Sequence, residues 1–121
     1  DLQNASLIVV NYLIQFLDLE ERDILFKKIF KALIPHGILI LSEKVHYENK
    51  FENQRIINTH HQFKSANGYS DLEISGKRDS LEGILKTECE GEHISRARKV
   101  GFIRAEKVLS NLNFRTFVFS K

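Results

Sequence analysis

The sequence predicts an α/β protein in which parallel strands and helices are followed by a helical insertion and a terminal antiparallel hairpin. Two short apolar runs, residues 7–10 and 38–41, have the continuous hydrophobicity of strands that are covered on both faces. A segment with helical periodicity separates them, and such a strand-helix-strand unit almost always crosses over right-handed with its strands parallel. Near the end, two strand-like runs are joined by only three residues, which forces them to be antiparallel.

The helix between the first two strands is predicted to begin at Asp18. The Asp18 carboxylate can accept a backbone N–H, and Glu21 can reach back to the Asp18 backbone in a capping box. The sequence Pro35-His36-Gly37 then stops the helix before the second strand. The apolar positions at helical spacing are Ile24, Leu25, Ile29, Phe30 and Leu33.

Residues 48–86 are predicted to form a helical insertion within a single domain that spans residues 1–121. Its first helix ends at Asn67-Gly68, a pair that readily adopts the left-handed conformation. Its second helix begins at Ser70, which forms a capping box with Glu73, and extends to about residue 85.

The last part of the chain predicts one more helix and the hairpin. An acidic loop at 88–92 precedes a basic helix at 94–100, which Gly101 caps. The strands of the hairpin are predicted at 106–110 and 114–119.

Composition excludes several classes of protein. A formal charge of +2 is too small to indicate nucleic-acid binding, and no apolar stretch approaches the roughly 20 residues of a membrane span. The single Cys89 has no cysteine partner for a bridge or a zinc knuckle, which suits a reducing cytoplasm. His60 and His61 are adjacent on a predicted helix and point about 100° apart, so we expect no metal there.

One long polar motif is similar to a known family. The run that begins at His60 reads His-His-Gln-Phe-Lys-Ser-Ala-Asn-Gly-Tyr-Ser-Asp-Leu-Glu-Ile-Ser-Gly-Lys-Arg, and it resembles the carboxy-S-adenosylmethionine synthases. The resemblance continues at Val9-Val10-Asn11, Leu41-Ser42-Glu43-Lys44 and Gly101-Phe102, and covers essentially the whole chain. It implies the C-terminal half of a Rossmann-like class I S-adenosylmethionine-dependent methyltransferase fold.

The same resemblance implies an activity. In that family S-adenosylmethionine and prephenate give carboxy-S-adenosylmethionine and phenylpyruvate, and the product serves the modification of a wobble uridine of transfer RNA. It also implies a cytoplasmic homodimer that needs no direct contact with nucleic acid. The chain contains no glycine-rich turn and no ribose-binding acid after an earlier strand, so we expect it to be inactive by itself. The alternatives are an ordinary S-adenosylmethionine-dependent methyltransferase and a non-catalytic dimerisation or RNA-docking module.

Four residues are candidates for binding, and none is assigned to carboxyl transfer itself. Asn11 follows the first strand, where open sheets bind ligands, although it can equally cap a short helix. The resemblance makes Asn11 a cofactor contact and makes Arg78 the residue that binds the cofactor's extra carboxylate, which a guanidinium can hold with two parallel hydrogen bonds. His61 and Tyr69 are weaker candidates for an anionic second substrate. Glu43 also follows a strand, but a helix cap or a salt bridge is the better interpretation.

Overall fold

The computed structural model describes residues 2–81 and 84–121. Its centre is a four-stranded mixed sheet with the order β1-β2-β4-β3. Strand β1 pairs parallel with β2, and β4 pairs antiparallel with both β2 and β3. The predicted strand-helix-strand unit and the terminal hairpin are therefore confirmed. The strands are β1 (Ala5–Asn11), β2 (Leu33–Lys44), β3 (Arg104–Asn111) and β4 (Phe114–Ser120).

Four α-helices accompany the sheet within the described ranges. They are α1 (Leu19–Ala32), α2 (Lys50–Ala66), α3 (Asp71–Leu81) and α4 (Glu90–Val100), and a short 3-10 helix (Ile14–Phe16) follows β1. The predicted start of α1 is confirmed, because the Glu21 carboxylate accepts the backbone N–H of Asp18 at 3.0 Å. The 3-10 helix and α1 together carry the chain from the end of β1 back to the start of β2.

The boundary between α1 and β2 differs from the prediction. The strand begins at Leu33, directly after the helix, so Pro35-His36-Gly37 belongs to the strand and not to a turn. The register shifts here, since Ala5 faces Leu33 whereas Leu7 faces Ile38. Proline lacks an N–H and is tolerated in such an irregular stretch, where no regular ladder bond is lost.

The hydrophobic core lies on one face of the sheet. Leu39 and Leu41 of β2 face Phe119 and Phe117 of β4 in register, and all four are buried. The same core contains Phe26 and Ile29 of α1 and Ala97 of α4, so both helices pack on this face. Alternate residues of a strand point to opposite sides. The apolar strand residues that alternate with these core residues therefore belong to the other face.

That other face is open in the part of the chain that the structure describes. Leu7 and Val9 of β1 are 52% and 51% exposed, although the sequence predicted a strand covered on both faces. The prediction is wrong here because α1 and α4 lie together on the opposite side. Strand β1 also pairs with β2 alone and forms an edge of the sheet. We call this surface the open face; it consists of Leu7, Val9, Ile38, Ile40 and Val118.

The buried side of α1 is displaced from the predicted stripe. Arg22, Phe26 and Ile29 are buried, whereas Ile24 is 53% exposed. A guanidinium occupies a core position because Glu88 forms an ion pair with it. Because Arg22 is charged, the apolar pattern of the sequence did not indicate which side of α1 faces the core.

Helix α3 begins and helix α2 ends as predicted, whereas α2 begins at Lys50, two residues after its predicted start. In the capping box of α3, Ser70 Oγ accepts the backbone N–H of Glu73 at 3.1 Å, and Gly68 adopts the left-handed conformation with φ 94°. Helix α3 ends at Leu81, before the predicted end near residue 85; residues 82 and 83 of the predicted extension lie outside the described residues.

Helix α4 begins earlier than predicted. Residues 90–92 form its first turn, not an acidic loop, because the Glu92 carboxylate accepts the backbone N–H of Cys89 at 2.7 Å. Acidic side chains are favoured at this end of a helix dipole. Gly101 ends the helix with φ 120°, as predicted. No helix in the described ranges is both long enough and apolar enough to cross a membrane.

Candidate functional site

A cavity of about 320 Å³ lies between α2, α3 and the end of β2. Its polar walls are strongly basic, and apolar side chains form the rest of the surface. The basic residues are Lys44, His60, His61, Lys64, Lys77 and Arg78, and Ile57, Ile74, Leu81, Leu85 and Asn113 complete the lining. Among the side chains that the structure describes, no carboxylate lines this cavity, so the described lining suits an anion. We call it the basic cavity.

Burial and neighbouring positive charges together lower the pKa values of both histidines in the basic cavity. Burial, and then the positive charges of Lys64 and Lys44, lower the pKa of His60 to about 4. Burial, then Lys64 and Arg78, also lower the pKa of His61. Neutral imidazoles can donate one hydrogen bond and accept another, while the lysines and Arg78 keep the net charge positive. A bound carboxylate would reduce this repulsion.

Aromatic contacts connect the basic cavity to the sheet. The ring of Phe114, the first residue of β4, lies edge-on to His60 at 5.2 Å and to Tyr12 at 6.0 Å between centroids. Tyr12 directly follows Asn11 at the carboxyl end of β1. One step along the hairpin from Phe114, the buried Oδ1 of Asn113 has no hydrogen-bond partner among the described residues.

The structure brings two of the predicted site residues together. His61 and Arg78 line the basic cavity and also an adjoining smaller cavity. Asn11 lies at the end of β1, where it is exposed and opposite Ser42 in the register. Tyr69 is 55% exposed in the connection between α2 and α3 and does not line the basic cavity.

Glu43 has the role of a helix cap. Its Oε1 accepts the backbone N–H groups of Leu13 and Ile14 at 3.1 and 3.0 Å, at the start of the 3-10 helix. The other oxygen, Oε2, is buried and has no hydrogen-bond partner among the described residues. Burial raises the pKa of Glu43 to about 7, even though the neighbouring backbone donors lower it. The interpretation as a cap is therefore confirmed.

Sequence reasoning missed several members of the basic cavity, above all Lys44, Lys64 and Asn113. A signal existed on α2, because His60 and His61 stand four and three residues before Lys64 and share its helix face. Lys44 and Asn113 come from β2 and from the hairpin turn, and no local pattern could have joined them to α2.

The fold is shared with known methyltransferases. The S-adenosylmethionine-dependent methyltransferase SibL matches 100% of this chain with 33% of its own, at a TM-score of 0.65 and 11% identity. Human N-acetylserotonin methyltransferase, solved in complex with SAM, matches 99% of the chain with 30% of its own, also at 0.65. The molecule therefore has the class I S-adenosylmethionine-dependent methyltransferase fold, in an α/β arrangement that covers about a third of those chains.

Its sequence relatives are more specific. The carboxy-S-adenosyl-L-methionine synthase of Pasteurella multocida is 43% identical over 121 residues, which are 100% of this chain and 50% of the relative. That of Salmonella paratyphi C is 44% identical over 120 residues, 99% of the chain and 49% of the relative. No protein-family model matches. By sequence the chain is homologous to carboxy-S-adenosyl-L-methionine synthases, and it spans about half the length of these curated relatives.

Proposed function

We propose that the polypeptide carrying this chain is a carboxy-S-adenosyl-L-methionine synthase whose substrates are S-adenosylmethionine and prephenate. The observation that carries this proposal is the basic cavity, where His61 and Arg78 of the family-like motif meet three lysines. Prephenate has two carboxylates and the product cofactor has one carboxylate more than S-adenosylmethionine. A cluster of cations, with no carboxylate among the described side chains that line it, is suited to such ligands.

The proposed reaction balances in atoms and charge, with three bonds broken and two formed. The bond between the prephenate ring and its ring carboxyl group breaks, and the ring becomes aromatic as its hydroxyl group leaves. The methyl group on sulfur loses one proton, which combines with the hydroxide to form water. A new carbon–carbon bond then joins the methyl carbon to the released carboxyl group. The products are carboxy-S-adenosylmethionine, phenylpyruvate and water.

Within this proposal Arg78 binds the carboxylate that distinguishes the product from S-adenosylmethionine. Its planar guanidinium can donate two parallel hydrogen bonds to one carboxylate, which an ammonium cannot do. His61 lies in the same cavity and, with its lowered pKa, is a neutral hydrogen-bonding partner for the second substrate.

Asn11 is the proposed contact to the S-adenosylmethionine moiety. It is exposed at the carboxyl end of a parallel strand, the position at which open α/β sheets bind nucleotides. The buried Oδ1 of Asn113 is an acceptor at the wall of the basic cavity and can receive a hydrogen bond from a ligand hydroxyl group. The chain itself would supply only part of the nucleotide site, because it contains no glycine-rich turn.

We further infer a cytoplasmic homodimer whose product enters the modification of a wobble uridine in transfer RNA. The protein would supply a small molecule to this process and would not itself bind RNA. The formal charge of +2 supports this inference, because nucleic-acid binding normally requires a larger basic surface.

Mass spectrometry of small molecules released by heat from the purified polypeptide, expressed as its gene encodes it, tests the proposed function. Carboxy-S-adenosylmethionine is the expected ligand, and incubation with S-adenosylmethionine and prephenate should form phenylpyruvate. S-adenosylmethionine alone, without phenylpyruvate formation, would indicate an ordinary methyltransferase. The absence of both ligand and turnover would indicate a non-catalytic module.

A further inference from the structure

Three side chains with metal-binding donors, none of which lines the basic cavity, converge at one place. They are His46, just after β2, and Cys89 and Glu92, at the start of α4. One ligand atom from each lies within 4.8 Å of the other two, and the set offers an imidazole nitrogen, a thiol sulfur and a carboxylate oxygen. His46 and Cys89 are partly buried, whereas Glu92 is exposed.

Two of the three donor groups, those of His46 and Glu92, are held in place by a second contact. Nδ1 of His46 lies 2.9 Å from the hydroxyl group of Thr87, and when Thr87 accepts the Nδ1 proton, Nε2 is left with a lone pair. The Glu92 carboxylate uses Oε2 to accept the Cys89 backbone N–H, which leaves Oε1 as the second oxygen. Such secondary contacts orient ligands in known metal sites.

The surroundings favour a cation with an open coordination position. His46 and Cys89 line a cavity of about 390 Å³, whose charged lining residues are Glu48, Glu52, Glu90 and Arg115. Carboxylates outnumber the single guanidinium among the charged groups of this cavity, so the local field is negative. A divalent metal would be attracted by this field and would displace the thiol proton on binding.

We propose that His46, Cys89 and Glu92 form a binding site for a zinc ion, with the fourth position open to the cavity. Mixed nitrogen, sulfur and oxygen donors suit zinc, which tolerates tetrahedral sites with three protein ligands and one water. A thiolate and a carboxylate together neutralise the charge of the ion. The site joins the segment after β2 to the N-terminus of α4, so bound zinc would stabilise this junction.

Titration with Co²⁺ as a spectroscopic substitute for zinc tests the proposal on the polypeptide as its gene encodes it, under reducing conditions. A thiolate-to-cobalt charge-transfer band should appear in the near ultraviolet and disappear when Zn²⁺ is added. Cys89→Ser should abolish the band, and serine preserves the N-cap and therefore the fold. Glu92→Gln keeps the capping box and should weaken Co²⁺ binding at least tenfold.

Two further variants separate a metal site from an accidental cluster. Thr87→Val removes only the partner of His46 and should weaken binding by about 10–100-fold, as loss of such outer contacts does in other sites. His36→Gln changes an exposed histidine near the start of β2, whereas His46 follows the end of that strand, and it should leave binding unchanged. Zinc should also raise the unfolding temperature of the wild type but not of Cys89→Ser. No cobalt band, or an equal band in Cys89→Ser, would overturn the proposal.

Discussion

The carboxylate of Glu43, at the end of β2, accepts a 3.0 Å hydrogen bond from the backbone N–H of Ile14, in the 3-10 helix that follows β1. This contact ties together the carboxyl ends of two neighbouring parallel strands. Only one carboxylate oxygen has partners among the described residues, and burial raises the pKa of the group to about 7. Glu43 therefore titrates in a range where the unfolded carboxyl group, near 4.5, is already ionised.

This difference predicts that Glu43 makes stability depend on pH. Between about 4.5 and about 7 the folded state holds a proton that the unfolded state releases, so the free energy of unfolding falls as pH rises. Glu43→Gln keeps the acceptor oxygen but cannot ionise. The free energy of unfolding of Glu43→Gln minus that of the wild type should therefore rise by on the order of 3 kcal/mol between about pH 5 and about pH 8.

Urea unfolding of both proteins at several pH values measures this effect. Glu20→Gln, on the exposed side of α1, is the matched control and should follow the wild-type curve. If Glu43→Gln also runs parallel to the wild type, the carboxyl group does not have a raised pKa.

For Glu88 we expect the free energy of unfolding to depend on pH in the opposite direction. It is buried between Arg22 and Arg96, and the Arg96 contact measures 2.7 Å. Burial alone raises its pKa, but hydrogen bonds from Arg96 and Arg22 outweigh that and leave the pKa lowered. Its stabilisation should therefore be complete above the unfolded pKa and disappear as pH falls through the folded value. Glu88→Gln should cost about 3–5 kcal/mol, because two buried guanidinium groups lose their counter-charge.

Denaturant unfolding near neutral pH compares Glu88→Gln with Glu106→Gln. The ion pair of Glu106 with Arg104 lies on the surface, and its loss should have almost no effect. An equally small effect for both variants would show that the buried network contributes nothing.

Arg78 should control the preference between the two cofactors. In the polypeptide as its gene encodes it, Arg78→Ala should weaken binding of carboxy-S-adenosylmethionine about 10- to 100-fold more than binding of S-adenosylmethionine, because only the former loses a charge-assisted hydrogen bond. Arg78→Lys should restore part of the preference, since lysine keeps the charge without the two-pronged geometry. Calorimetric titration of both ligands gives the ratio. Arg98→Ala, on the exposed part of α4, is the control. If Arg78→Ala keeps the wild-type ratio of the two affinities, Arg78 does not bind the extra carboxylate.

Two glycines near the ends of α4 should respond in opposite directions to alanine. At Gly101, with φ 120°, a new Cβ would lie 2.8 Å from Cζ of Phe30, so Gly101→Ala should destabilise by at least about 1–3 kcal/mol. At Gly91 nothing lies within 4 Å, and Gly91→Ala should stabilise by about 0.4–1 kcal/mol through the unfolded state. Thermal unfolding distinguishes the two variants. Equal shifts of the unfolding temperature in both would contradict these expectations.

The open face should make the 121-residue chain associate with itself. Leu7 and Val9 are more than half exposed beside an unpaired strand edge, and such surfaces attract other chains. The double variant Leu7→Gln/Val9→Thr should be markedly less associated in sedimentation velocity. Leu72→Gln, which changes an exposed residue on α3, should behave as the wild type. A wild-type chain that stays monomeric at all concentrations would contradict the expectation.

Local signals in the sequence predicted where most elements begin. The capping boxes at Asp18 and Ser70 and the glycine at 101 involve hydrogen bonds or backbone angles within a few residues, so they can be recognised without tertiary structure. The start of α4 was missed because cysteine is not a typical N-cap and the acidic residues resembled a loop. Helix α1 was misjudged at Arg22, whose burial depends on a carboxylate far along the chain.

The candidate site was predictable only where one motif contained it. His61 and Arg78 belong to the same run and lie in the same cavity, whereas Lys44 and Asn113 reach that cavity from β2 and from the hairpin. The open face was unpredictable for a different reason. An apolar run such as residues 7–10 has the same composition whether one or both of its faces are covered.

The order of the strands determines when the sheet can be completed during synthesis. Strand β4 is made after β3, yet it lies between β2 and β3. A nascent chain that has emerged as far as α4 therefore carries β1, α1 and β2 with the inner edge of β2 still unpaired. Ribosome-bound intermediates of this length should expose Leu39 and Leu41 until Phe117 and Phe119 arrive, so this is the stage at which a chaperone would be most useful.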